Sequence, residues 1–131
     1  MGLDIYFLAS DKQPDEDELL LSGGRQIKFE VGYFRKVNAL VSWVSTHIAK
    51  VENCQEIPIT RQHLEQLCST LSELTITNCA QLFPTVPGFF FGSTEYEEIY
   101  WSNVNDIRKW AHHLLNEFDF ERLDLVFWPW W

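Results

Sequence analysis

Two stretches of the chain gather residue types that could hold a ligand. The first is Glu30-Val31-Gly32-Tyr33-Phe34-Arg35-Lys36-Val37-Asn38. If Gly32 permits a turn from strand into helix, the first helical turn presents free backbone N–H groups beside Arg35 and Lys36, an arrangement that binds anions. Arg35, Asn38, Ser42 and Ser45 then follow at spacings of three, four and three and form one polar stripe. The plainer alternative is a solvated helix face with Glu30 paired to Arg35 or Lys36. The second stretch is Gly88-Phe89-Phe90-Phe91-Gly92-Ser93-Thr94-Glu95-Tyr96-Glu97-Glu98. Two glycines around three phenylalanines mark backbone packed tightly against another element, and Ser93, Thr94 and Glu95 add hydroxyls and a carboxylate directly after it. Ser93, Thr94, Glu95 and Tyr96 could therefore wall a binding site together with Tyr33, Arg35, Lys36 and Asn38. Alternatively Ser93 or Thr94 caps a helix whose first turn carries Glu95, Glu97 and Glu98.

Other chemistry has little support. His112 and His113 are adjacent, so on a helix they point about 100° apart and do not chelate as an i, i+4 pair would. No metal site and no cofactor is expected. Nucleophile-elbow, P-loop and dinucleotide fingerprints are missing from the sequence. Tyr33, Arg35 and Glu95 could form an acid–base set, but nothing in their spacing demands one. Cys54, Cys68 and Cys79 make no CxxC pair, and an odd count at wide spacing is a poor disulfide framework. They read as reduced thiols, with Cys68 buried on a leucine face.

The elements that must position these residues follow from hydrophobic period. Leu3 to Ala9 alternates and then runs apolar, as a well-buried strand does. Residues 10–24 form a polar excursion whose tip should be exposed and mobile. A second extended stretch runs from Gln26 to Val31. After Gly32 the residues Phe34, Val37, Leu40, Val41, Val44 and Ile48 recur at three and four, which predicts a helix near 34–50. Val51 to Ile59 contains Pro58 and reads as a loop. Thr60 caps a second helix carrying Leu64, Leu67, Leu71 and Leu74. Residues 75–87, with Pro84 and Pro87, read as irregular, and Gly88–Gly92 as a short buried strand or a close-packed bend. Ser102, or a start nearer Ser93, opens a third helix through Val104, Ile107, Ala111, Leu114 and Leu115. The chain closes on a strand from Leu123, where Pro129 should stop regular pairing and turn Trp130 and Trp131 back over the domain or toward another chain.

These elements give an α+β fold, a small and mainly antiparallel sheet covered by three helices, with the first and last strands as neighbours. At 131 residues and 15.5 kDa the chain reads as one domain, residues 1–131. It should bury roughly 68% of its unfolded surface without disulfide or metal staples. The N-terminus carries no signal-peptide or myristoylation pattern and no apolar run approaches the ~20 residues of a membrane span, so a cytoplasmic location is the default.

Charge is unevenly distributed. Residues 25–50 carry five bases and one acid, whereas the chain as a whole has 10 bases, 19 acids and a net charge of −9. That balance disfavours general nucleic-acid binding, leaves room for one local anion site, and suits a basic protein partner. Phe127, Trp128, Trp130 and Trp131 concentrate four large rings in five residues, an area that needs covering by the domain itself or by a homodimer.

On Met1 to Tyr6, Glu30 to Asn38 and Gly88 to Glu97 the chain resembles a family of small, uncharacterised bacteriophage and prophage proteins. Those proteins open with a Met-Gly-Leu-Asp-Met-Tyr-like strand and carry Glu-Val-Gly-Tyr-Trp-Arg-Lys-Ala-Asn and Gly-Phe-Phe-Phe-Gly-Ser-Thr-Glu-Tyr-Asp motifs. The resemblance spans nearly the whole chain. It departs at Val41, where many relatives have His, so any chemistry using that imidazole is in doubt here. The resemblance implies a common fold and a phage or mobile-element setting, while the small size, the acidic balance and the lack of a catalytic set favour an accessory role. Two functions are therefore expected. One is protein binding, with inhibition of a host defence protein as its specific form. The other is a small-molecule or nucleotide-binding enzyme using Tyr33, Arg35, Asn38, Ser93 and Glu95.

Overall fold

The computed structural model describes residues 2–13, 15–21, 23, 27–88 and 90–131, the side chains at 18, 19 and 21 excepted. The alternation at the N-terminus becomes β1 (Asp4–Asp11), and Leu123–Trp130 becomes β4. They pair antiparallel at the centre of a four-stranded sheet of order β2-β1-β4-β3, with β2 (Phe29–Arg35) and β3 (Ile57–Ile59) at its edges. The fold is α+β, with the first and last strands adjacent as expected. On one face Ile5, Phe7, Ala9, Leu125 and Phe127 are buried in a core shared with the helices. Three longer helices supply it: α2 (Asn38–His47), α3 (Arg61–Glu73) and α5 (Glu98–Glu117). Two short ones, α1 (Glu16–Leu21) and α4 (Cys79–Leu82), were not foreseen. Residues 14, 22 and 24 of the excursion expected over 10–24, and Gln26 at the start of the second extended stretch, lie outside the described residues.

Helix α3 follows its sequence signals closely. Thr60 Oγ1 accepts from His63 N, and His63 Nδ1 accepts from Thr60 N, a reciprocal cap with histidine in the usual Glu position. Leu64, Leu67 and Leu71 point into the core. Cys68 lies on the flank of that stripe and is half-buried rather than buried, whereas Cys79 is buried; all three cysteines are free.

The predicted strand-to-helix junction at Gly32 is wrong. Gly32 is inside β2, Arg35 ends that strand, and α2 begins only at Asn38. The turn is made instead by Lys36, whose φ is +57°. Gly32 is needed for space: a Cβ there would stand 2.7 Å from the indole of Trp110. The indole Nε1 donates to Val31 O at 2.9 Å. Val31 is the extra residue of a β-bulge, since Phe7 pairs with Gly32 and Leu8 with Glu30. The supposed helical stripe of Arg35, Asn38, Ser42 and Ser45 dissolves accordingly, because Arg35 is in a strand and Asn38 is 2% exposed.

Both prolines expected to block pairing lie within strands. Pro58 sits in edge strand β3 opposite Val126. Pro129 pairs with Ile5, and its carbonyl accepts from Cys54 N at 2.9 Å. In an antiparallel strand a residue's N and C=O face the same side, so the missing N–H of Pro129 points away from β1 and costs the sheet no bond. Helix α5 starts at Glu98, between the two starts considered, with no side-chain cap from Ser93 or Ser102. Of the C-terminal aromatics Phe127 is buried and Trp131 packs within the chain, its ring meeting Phe91 edge-on at 5.1 Å and its backbone held from both sides by the Asn53 amide, while Trp130 is exposed.

Candidate functional site

The β2–α2 turn, loop 83–96 and the beginning of α5 surround a cavity of about 300 Å³. Arg35, Lys36, Asn38, Ser93 and Glu95 line it, so five of the eight candidate residues converge although the expected helix begins only at Asn38 and leaves Arg35 and Lys36 before it. Thr85 and Asn103 also reach it, two residues that carry no sequence signal.

Asn38 holds the two motifs together. Its Nδ2 donates to Phe91 O at 3.0 Å and to Ser93 O at 2.9 Å, and its Oδ1 accepts from Val86 N at 3.0 Å. Both amide protons and the oxygen are thus occupied by loop backbone, which makes Asn38 a clamp rather than a ligand contact. Leu3 N donates to Phe90 O and Lys36 N to Leu3 O, so the N-terminal strand, the turn and the loop are tied into one unit. Phe91 N donates to Gly88 O, which closes a turn rather than a strand there, and Phe89 lies outside the described residues.

The Ser93 and Tyr96 hydroxyls of the second motif are also engaged by backbone. Ser93 Oγ accepts from Glu95 N. Thr94 does not line the cavity, and its carbonyl accepts from Thr85 Oγ1. Tyr96 accepts from Thr85 N and stacks edge-on against Tyr100 at 4.9 Å. Tyr100 in turn donates to Phe83 O at 2.8 Å. Burial pushes the Tyr100 phenol above its ordinary value near 10, with the nearby Cys79 and Tyr96 adding to it. A raised folded-state pKa stabilises the protein fully below the unfolded value, and that contribution fades as pH rises through the alkaline range. The wild-type melting temperature should therefore fall more steeply from about pH 10 upward than that of Tyr100→Phe; parallel curves would refute the assignment.

Tyr33 lies elsewhere, on the far side of the sheet. Its hydroxyl donates to Asp4 Oδ1, a bond that, with slight desolvation, raises its pKa. Arg35 Nη1 meets the same carboxylate oxygen at 2.9 Å, so Arg35 pairs with Asp4 and not with Glu30. Among the described residues the cavity lining has no histidine, no cysteine and one carboxylate, Glu95. That set can bind a charged group but offers no nucleophile–base pair. No group of His, Cys, Asp and Glu among the described residues could hold a metal ion, and no described helix is long and apolar enough to cross a membrane.

The second feature is the sheet face turned away from the core. Tyr33, Tyr6 and Trp128 stand side by side across β2, β1 and β4, with centroids 5.1 Å and 5.8 Å apart. Trp130 joins them edge-on to Trp128 at 5.0 Å. Tyr33 is 43% exposed and Trp130 42%, while the alternate residues of β1 and β4 on the other face are almost completely buried. Trp128 is fixed by its Nε1 donating to Cys54 O. The alternation of Tyr6 and Leu8 with Ile5, Phe7 and Ala9 is the sequence signal for this face. No family model, curated protein or solved structure matches the chain.

Proposed function

We propose that the protein is a binding module of the phage or mobile-element accessory type, and that the aromatic sheet face docks another protein, in its most specific form a host defence protein that it inhibits. The observation that carries this reading is the row Tyr33, Tyr6, Trp128 and Trp130, half-buried in its middle and exposed at Tyr33 and Trp130, with Arg35 at its end. Tyr, Trp and Arg are the side chains that dominate protein-binding energy, because they bury large area with few rotors and retain a polar handle. The row is bordered by Glu30 and Asp124, and the chain carries a net charge of −9, so the complementary partner is basic at its rim. The phage setting rests on the resemblance of the three sequence motifs. An enzyme built on Tyr33, Arg35, Asn38, Ser93 and Glu95 has less support, because Tyr33 is outside the cavity and the Asn38 amide is fully bonded.

The test is capture from host lysate with wild type and with Tyr33→Ser/Trp130→Ser. Both side chains are exposed, so the variant should retain the wild-type melting temperature. A protein captured by the wild type and lost, or bound at least about tenfold more weakly, by the folded variant is the expected result, equivalent to one 1.4 kcal/mol step. Equal capture by both would overturn the docking face.

A further inference from the structure

We propose that a second cavity, on the outer face of the sheet beside the start of α3, binds a free α-amino acid with an apolar side chain. The ligand carboxylate meets Lys12 and the first turn of α3, its ammonium meets Asp124 and Ser10, and its side chain lies on an apolar wall. The cavity has a volume of about 400 Å³, the size of a compact metabolite and not of a polymer. None of the four rings of the docking row lines it, and the inference does not depend on the docking reading.

Ser10 follows Ile5, Phe7 and Ala9 along β1 and alternates away from them, onto the face that the core helices leave open, yet it is only 5% exposed. Part of the cover is an ion pair laid across the sheet. Lys28, just before edge strand β2, meets Glu56, just before the opposite edge strand β3, so the pair passes over β1 and β4 between them. Lys28 lines the cavity with its charge already matched. Ser10 lines it too, and its hydroxyl makes no hydrogen bond among the described residues. A buried hydroxyl without a partner costs stability, and a ligand that bonds it removes that penalty.

Lys12 and Asp124 bring opposite charges to the same cavity. Asp124 stands directly opposite Ser10 in the β1–β4 register, and Lys12 N donates to Arg122 O at 2.9 Å, so Lys12 and Asp124 are diagonal neighbours on paired chains. Long side chains at that spacing are within reach of each other. Neither one, however, takes part in an ion pair or a side-chain hydrogen bond among the described residues. A ligand that carries both charges fits between them, whereas one that is anionic throughout is repelled by Asp124.

The carboxylate end has a second support. Thr60 and Arg61 line the cavity at the beginning of α3, a helix of 13 residues. The Thr60 hydroxyl is taken by His63 N, which leaves the Arg61 and Gln62 N–H groups without acceptors inside the helix, at its positive end. The Arg61 guanidinium lies over the Phe120 ring at 4.9 Å and is in no ion pair among the described residues. Phe120, Pro58 and Val126 complete the lining with an apolar wall, which selects an apolar side chain on the ligand.

The experiment is an NMR titration of the ¹⁵N-labelled protein with leucine, phenylalanine and two leucine analogues, isocaproate without the ammonium and isoamylamine without the carboxylate. It is run on wild type, Asp124→Asn, Lys12→Gln and Ser10→Ala. Lys12 and Asp124 are exposed, so their variants should keep the wild-type melting temperature and a loss of binding in them is not a folding defect. Saturable amide shifts at residues 10–12, 59–62 and 122–126 are expected with leucine or phenylalanine. Both analogues should bind at least about tenfold more weakly, and Asp124→Asn and Lys12→Gln should each lose at least about tenfold in affinity, with a smaller loss in Ser10→Ala. No saturable response to either amino acid, an analogue that binds as well as leucine, or unchanged affinity in Asp124→Asn and Lys12→Gln would overturn the site. Tyr33→Ser/Trp130→Ser should bind the amino acid as the wild type does, which separates failure of this proposal from failure of the docking face.

Discussion

Gly32→Ala should destabilise the protein by about 1–3 kcal/mol, and Gly32→Val by more, as overpacking of a filled site does. The added Cβ would stand 2.7 Å from three atoms of the Trp110 ring. That ring, half-buried, is held on several sides. Its Nε1 is bonded to Val31 O, and its faces meet Phe7 at 4.4 Å and Phe34 at 5.3 Å between centroids. Urea unfolding of wild type, Gly32→Ala, Trp110→Leu and the double variant provides the check. Coupling between the two sites, with the double variant more stable than the sum of the single losses allows, is the signature of a direct clash. Additive losses, or a Gly32→Ala variant as stable as wild type, would show that the close approach is not limiting.

The second large effect belongs to Asn38. Replacing it with Ala leaves Phe91 O, Ser93 O and Val86 N without their partner at the edge of the core. Each group left unsatisfied costs about 1–3 kcal/mol, so a total loss of roughly 3 kcal/mol or more is expected. Asn38→Asp retains an acceptor for Val86 N but turns a carboxylate oxygen toward two carbonyls, and should be no better than Ala. The damage should be local as well as global, with faster amide exchange across residues 83–96 than across α3. Unfolding free energies within about 0.5 kcal/mol of wild type for both variants would contradict the clamp.

These two residues also show where local reading of the sequence stops. Gly32 and Asn38 were both legible as unusual, but the bonded partners of Asn38 lie 48 to 55 positions away, and Trp110, which fills the space at Gly32, is bonded to Val31 across 79 positions. Phe34 happens to fall three residues before Val37, so the helical period seemed to begin inside β2, while the bulge at Val31 hid the strand's own alternation. The elements that depend on near neighbours were readable: β1 from its alternation, and α3 from Thr60 and its leucines. Pro58 and Pro129 misled because a proline is tolerated wherever its nitrogen faces an edge, and edges are set by the whole sheet. Five of the eight candidate residues meet at one cavity while Tyr33, Thr94 and Tyr96 do not line it, and which of the five are already occupied depends on hydrogen bonds that the sequence does not show. The aromatic face was visible as alternating rings. That it stays open follows only from the helices packing on the other side.

The docking face is tested most directly by hydrogen exchange on the complex between this protein and the host protein it captures, compared with the free protein. Three strands contribute to the face, so slowed exchange at residues 4–8, 29–35 and 124–130 together, with α3 and α5 unchanged, is expected. Protection centred on α3 and α5, with those three strands exchanging as in the free protein, would contradict it.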